Sequence, residues 1–435
     1  MPSEIAQISV RNPVTKVVLL LVLLGAGVWS YFAVRWYIGN TLAEYFNPAQ
    51  NNMRVADMAV EFAPNDPLTH WRMAQVSQKL LPLDQQSHAI AEYERAVVLS
   101  PNDYRFWMAL GTAHEQTGDS VKGEQALRRA VALAPSYSYP HWYLGNLLLR
   151  SGRYDEAFKE LRLAAEADFE LEPQQFNFLW AIYSDNLEAL KKALGGTSET
   201  RARFALYLVE QQRHDDGLRV WDMLSSEEKK ANRQTADSIV AKLVTAKRYH
   251  DAMRVWNDIA VNERYRADLG KVFDGSFEDA INYGPEMVFG WQVKNAPQLQ
   301  IGIDPTKSNG GSRSLRLVFQ VRAKLEGLNI SQTIPVDANS EYDLEYYFAT
   351  EKFETGSAPM VQVFDATDGA FLAGSAQAPS GSNPWSRVNL SFKTAGKTEA
   401  VTVRIVRVNC SDEEALICPI FGSIWYDDFS LKRRR

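Results

Sequence analysis

Cysteine, and histidine late in the chain, are what this sequence has least of. Its 435 residues hold two cysteines, Cys410 and Cys418, so the paired-cysteine motifs that hold structural zinc are excluded. All six histidines fall before residue 275. The C-terminal region therefore has no imidazole, and Ser-His or Cys-His nucleophilic catalysis is excluded there. No phosphate-binding glycine loop, H-E-x-x-H or G-x-S-x-G occurs, and the chain reads as a non-enzyme. Charge is modest, a net −6 without a long run of one sign, which leaves nucleic acid no electrostatic footprint. The one basic cluster, Lys432-Arg433-Arg434-Arg435, reads as a solubilising tail.

Apolar residues are plentiful, at 46% hydrophobic against 23% charged, enough for large cores. The length suits two or three domains. From Val17 to Val34 no charge interrupts the chain. Those residues span about 27 Å as a helix, close to a hydrocarbon core of about 30 Å. Trp29, Tyr31, Phe32, Trp36 and Tyr37 crowd the far end as an aromatic belt, and Arg35 is placed to snorkel to headgroups. A cleavable signal has a shorter core that ends in small residues. The expectation is an uncleaved transmembrane anchor over 17–38 behind a cytoplasmic tail over 1–16. Arg11 and Lys16 precede it, and after Arg35 the next basic residue is Arg54. The positive-inside rule then puts the bulk of the chain outside the cytoplasm, which we read as a single-pass bacterial inner-membrane protein facing the periplasm.

Repeats follow. Pro101 returns as Pro135, Leu110-Gly111 as Leu144-Gly145 and Ala130 as Ala164, each 34 residues on; Gly118-Asp119 returns as Gly152-Arg153. Upstream, Trp71 with Ala74, Tyr93, Ala96 and Pro101 fits a unit with a short insertion near Leu81-Pro82. Downstream, Arg213 to Trp221 returns as Arg248 to Trp256 without the Leu-Gly pair, so these units are degenerate. The unit built on Trp107, Leu110, Gly111, Gly118, Ala126, Ala130 and Pro135 resembles the tetratricopeptide repeat. The resemblance implies paired antiparallel helices, small residues at close approaches, and an all-α superhelical solenoid over 50–270 that binds a protein partner. Such units cannot bury their apolar faces singly and must stack. His88, His114 and His141 show no ligand spacing.

After residue 271 helical periodicity gives way to alternation, with turns every ten or so residues. Ser314–Phe319, Glu341–Phe348, Val361–Phe364, Arg387–Phe392 and Val401–Val408 read as strands of an antiparallel sandwich over 271–435. Asp274-Gly275-Ser276-Phe277-Glu278, Trp291, Gly311 to Leu317, Ile330 to Val336 and the closing Trp425-Tyr426-Asp427-Asp428-Phe429 appear in an order that resembles galactose-binding-like jelly rolls, specifically carbohydrate-binding modules. The resemblance implies a structural calcium held by Glu278 and Asp428, and a core position for Trp385. Asp427 and Asp428 are strand neighbours on opposite faces and cannot form a glycosidase acid/base pair.

Alternation puts Tyr347, Glu345, Arg316 and Arg404 opposite apolar neighbours, and the expectation is that they share an outer face able to meet a polysaccharide. Cys410 and Cys418 flank a short excursion that a disulfide would pin, in keeping with an extracytoplasmic location. Three functions compete: a membrane-tethered scaffold in envelope or exopolysaccharide assembly, a purely protein–protein scaffold in secretion or surface-appendage assembly, and an enzyme, which no motif supports. The first is preferred.

Overall fold

A computed structural model describes residues 12–45, 52–79, 83–260, 265–279, 288–294, 299–321, 328–408 and 418–434. Its contacts divide the chain into two compact units, 1–195 and 196–435.

The first unit opens with α1 (Pro13–Tyr45), about 50 Å long at ~1.5 Å per residue. It is long and apolar enough to cross a membrane. Its last turns do something else: Gly39 and Ala43 are buried against the next helices. Asn40 donates to Asp66 at 3.0 Å. Arg35, expected to snorkel to headgroups, donates to the Glu61 carbonyl at 2.7 Å.

The helices that follow are α2 (Met53–Phe62), α3 (Pro67–Lys79), α4 (Leu83–Leu99), α5 (Tyr104–Gln116), α6 (Ser120–Leu133), α7 (Ser138–Arg150), α8 (Tyr154–Ala167), α9 (Glu172–Tyr183) and α10 (Leu187–Leu194). Within a repeat, α3 packs on α4, α5 on α6 and α7 on α8. Asp103 and Asp119 cap the starts of α5 and α6 by accepting backbone N–H bonds. The turns inside the repeats need a left-handed residue, supplied by Gly118 (φ +87°) and Gly152 (φ +72°).

The second unit begins with α11 (Ser198–Glu210), α12 (His214–Trp221), α13 (Ser226–Ala231), α14 (Arg233–Thr245) and α15 (Tyr249–Asp258). The degenerate repeats keep the left-handed turn without glycine: Gln212 (φ +61°) and Lys247 (φ +64°) hold it. The boundary between helices and strands near 270 is not a boundary between compact units. Tyr249 donates its hydroxyl to the Ala366 carbonyl at 3.0 Å, and His250 Nε2 donates to the Val336 carbonyl at 2.9 Å. This stitches α15 onto the strands.

Those strands are β1 (Gln292–Lys294), β2 (Leu299–Asp304), β3 (Ser314–Val321), β4 (Asn329–Pro335), β5 (Glu341–Thr355), β6 (Pro359–Asp365), β7 (Phe371–Gly374), β8 (Gly381–Lys393), β9 (Ala400–Arg407) and β10 (Ile420–Arg433). They form two antiparallel five-stranded sheets, β1-β4-β9-β6-β7 and β2-β3-β10-β5-β8. The period-2 pattern sends Leu315, Leu317, Leu344, Val361, Val363, Val403 and Ile405 into one shared core. The opening motif and the closing strand meet there. Phe429 stacks on Tyr346 at 4.9 Å and meets Trp291 at 5.0 Å, while Phe429 N–H donates to the Gly275 carbonyl at 2.8 Å. Trp385 does not join them. It lies half-buried within β8, because Pro384 and Trp385 continue the strand rather than turn.

Candidate functional site

The first unit holds a groove of about 1180 Å³. Its walls are the first helices of successive repeats, which contribute Trp71, Arg72 and Gln75 from α3, Arg105 and Thr112 from α5, Trp142, Tyr143 and Asn146 from α7, and Phe178 from α9. A repeated helix pair lines up equivalent side chains, so one sequence position becomes a row along the groove.

The rows are aromatic and polar together. Trp142 stacks on Phe178 at 6.1 Å, and the Arg72 guanidinium lies 4.8 Å over the Trp71 ring. Arg72 donates to the Ala43 carbonyl and to Gln75. Desolvation alone pulls its pKa below the usual guanidinium range, since no carboxylate among the described residues pairs with it. Arg105 and Arg150, by contrast, are neutralised by Asp103 and Glu115. Trp71 Nε1 is buried in the groove wall with no partner among the described residues. Such a groove can take an extended or helical segment that offers apolar side chains and a carboxylate.

The sandwich separates the four residues expected to share a face. Arg316 (β3), Glu345 and Tyr347 (β5) lie in one sheet, and Arg404 (β9) lies in the other. Alternation decides inside or outside, but strand order decides which outside. On the first of these sheets Glu345 is paired with Arg387. Trp425 is covered there, with the Lys307 ammonium 3.7 Å and the Arg316 guanidinium 5.1 Å from its ring. Its indole N–H donates to Asp304 at 2.9 Å, and only 2% of the residue is exposed.

The other sheet is more open. Register aligns Ser331, Arg404 and Gln362 in one row and Thr333, Thr402, Phe364 and Phe371 in the next. Arg404 lies 4.8 Å over the Phe364 ring, Phe364 meets Phe371 edge-on at 5.6 Å, and Phe371 is 59% exposed. Phe371 was missed from sequence because a strand as short as β7 carries no alternation signal, and Phe364, on a strand that alternation does predict, because its place beside Arg404 depends on strand pairing.

Glu278 and Asp428 are brought to one loop, between β2 and β3. Glu278 accepts Ser312 N–H at 2.7 Å, Arg313 N–H at 3.1 Å and the Ser312 hydroxyl at 2.6 Å. These bonds, the Ser312 hydroxyl first, hold its carboxyl below the usual range. Asp428 accepts the Asn309 amide at 2.7 Å. Three of the roughly four lone-pair sites on Glu278 thus face donors, so these residues fit a calcium ion poorly and fit a carboxylate-stapled loop well. Among the described residues no three His, Cys, Asp or Glu gather as metal ligands. Cys418 is buried and disulfide-bonded; Cys410 lies outside the described residues.

Residues 87–138 and 124–170 match the tetratricopeptide repeat family. Over 78 residues the chain is 32% identical to the E3 ubiquitin-protein ligase CHIP of Arabidopsis thaliana, covering 18% of this chain and 28% of that protein. The chain thus spans under a third of that relative's length. Similar solved structures include a MamA protein (14% identity, TM-score 0.29, 50% of this chain and 95% of that one). Another is pilF of Pseudomonas aeruginosa (17%, TM-score 0.32, 52% and 97%). A CBM4 structure is a third (9%, TM-score 0.28, 38% and 99%). The helical units over 87–170 are tetratricopeptide repeats, in a chain that ends in a β-sandwich of two antiparallel sheets.

Proposed function

We propose that this protein is a membrane-anchored, non-enzymatic scaffold of the bacterial envelope. Its helical repeats bind a segment of a protein partner, and its sandwich meets a glycan. The observation that carries the first half is the groove, whose wall holds the Arg72 guanidinium over the Trp71 ring, with no carboxylate among the described residues to neutralise it. A partner carboxylate would supply the missing charge in a partly desolvated site, where such a pair is strong. Support for the second half is the open sheet face, where Phe371 offers an exposed ring beside Arg404 and Gln362. If that face binds no sugar, the reading reduces to a purely protein–protein scaffold.

The test places a photo-crosslinker at Tyr143 in the groove or at Val98, which is exposed on α4 outside it. The full chain is then irradiated in native membranes. Crosslinks to one protein from Tyr143 but not from Val98 support the groove reading; equal crosslinking at both positions sinks it.

A further inference from the structure

Three repeats share one hydrogen bond. Trp107 Nε1 donates to the Pro101 carbonyl, six residues back, at 2.8 Å. His70 and His141 stand at the same place in their repeats, with Nε2 2.8 Å from the Pro64 carbonyl and 2.9 Å from the Pro135 carbonyl. The upstream counterpart of Trp107 is therefore His70, one residue before the expected Trp71.

A carbonyl oxygen only accepts, so both Nε2 atoms carry hydrogen. The other ring nitrogens face carboxylates. Nδ1 of His70 is 2.6 Å from Glu92, and Nδ1 of His141 is 2.6 Å from Glu160. The repeat spacing matches Glu92 and Glu160 to Ala126, which lies 34 residues from each. The repeat with an indole thus has alanine, and both repeats with an imidazole have glutamate. The reason is chemical: an indole is larger and has one N–H, whereas a buried imidazole has a second nitrogen that needs a partner. His70 is 6% exposed and His141 4%.

We propose that His70–Glu92 and His141–Glu160 are acid-favoured latches that hold α3 and α7 in place, so that the groove's hold on its protein partner weakens as pH rises. The proposal rests on the groove being the partner site. Trp71 and Trp142, which line it, are the next residues after the two histidines.

Both ring nitrogens facing acceptors calls for the imidazolium. Burial alone would pull His70 down. The hydrogen bonds to Glu92 and the Pro64 carbonyl outweigh it, and the net shift is upward against a small opposing effect of Arg95. His88 also approaches Glu92, at 3.8 Å. For His141 the bond to Glu160 is the largest influence and raises it, burial opposes, and the Pro135 carbonyl adds to the rise. A raised folded pKa means the stabilisation is whole below the ordinary value of about 6.5 and is lost as pH climbs through the folded value. Beyond that point one nitrogen turns a lone pair toward an oxygen, and a buried hydrogen bond disappears.

The test uses the full chain in detergent micelles. Histidine-selective ¹⁵N NMR reads ring protonation, and thermal unfolding is followed across the same pH range. Two rings stay doubly protonated at a pH where free histidine, with its ordinary value of about 6.5, is mostly neutral. In the double variant Glu92→Gln, Glu160→Gln these rings lose their second proton at lower pH than in the wild type, since burial then acts without the carboxylates, and the decline of the unfolding midpoint with rising pH is lost. Two neutral rings at pH 6, or equal pH slopes for wild type and variant, overturn the latches. Rings that titrate as expected while crosslinking at Tyr143 stays constant with pH overturn the control of the groove. Crosslinking absent at every pH, with the rings still titrating as expected, overturns the groove reading instead.

Discussion

Gly111 on α5 lies so close to Leu127 on α6 that a Cβ on the glycine would come within 2.6 Å of Leu127 Cγ. Gly145 stands in the same relation to Leu161, at 2.7 Å. Leu127 and Leu161 are fully buried, so neither can swing aside. Gly111→Ala therefore lowers stability by about 1–3 kcal/mol through overpacking, read as a lower midpoint in chemical denaturation at unchanged slope. An unchanged midpoint would show that the helix pair can spread at no cost.

The degenerate repeats predict the opposite sign. Gln212 and Lys247 hold left-handed turns that Gly118 and Gly152 hold elsewhere. An L-residue pays about 1–2 kcal/mol there, and glycine's added unfolded-state freedom returns about 0.5–1 kcal/mol of that. Gln212→Gly and Lys247→Gly each raise stability by up to about 1 kcal/mol, measured by the denaturation midpoint of the full chain.

Acid weakens the repeats by a separate route. Arg153 donates to both oxygens of Glu124, at 2.8 and 2.7 Å, and joins adjacent repeats. Burial would raise Glu124, but Arg153 and Arg128 outweigh it and hold its carboxyl below the usual range. A lowered folded pKa contributes stability above the ordinary value of about 4.3 that is lost as pH falls through the folded value. With the latches acting from the alkaline side, stability of the wild-type repeats peaks at mildly acidic pH. Arg153→Ala shallows only the acid limb, which unfolding midpoints between pH 3 and 9 resolve.

Calcium has little to hold at Glu278. The unfolding midpoint of the full chain is expected to be the same in excess calcium and in EDTA, while Glu278→Ala lowers it by releasing three hydrogen bonds. A large calcium-dependent rise would restore the metal site that the sequence resemblance implies.

On the glycan side, Phe371→Ala and Arg404→Ala abolish any binding seen on a glycan array, whereas Tyr347→Ala leaves it intact. The reason is that Tyr347 lies on the other sheet. Loss through Tyr347 alone would move the site to that sheet.

Sequence alone determined the elements. A charge-free, mostly apolar run from Val17 to Val34 makes a helix long enough to span a membrane, the 34-residue recurrence of Leu110-Gly111 makes helix pairs, and alternation across Ser314–Phe319 or Val401–Val408 makes strands, because each pattern follows from a local backbone period. What pairs with what was decided only by the tertiary structure. Period 2 cannot say that Arg404 leaves Arg316, Glu345 and Tyr347 for the other sheet, since strand order is set by contacts distant in sequence. Nor does the motif around Glu278 say whether its carboxylate meets a cation or the amides of Ser312 and Arg313. The His70–Glu92 and His141–Glu160 pairs lay between these cases. Their 34-residue echo in Ala126 is written in the chain, but its meaning appears only when the helices pack and a second imidazole nitrogen, buried away from water, needs an acceptor.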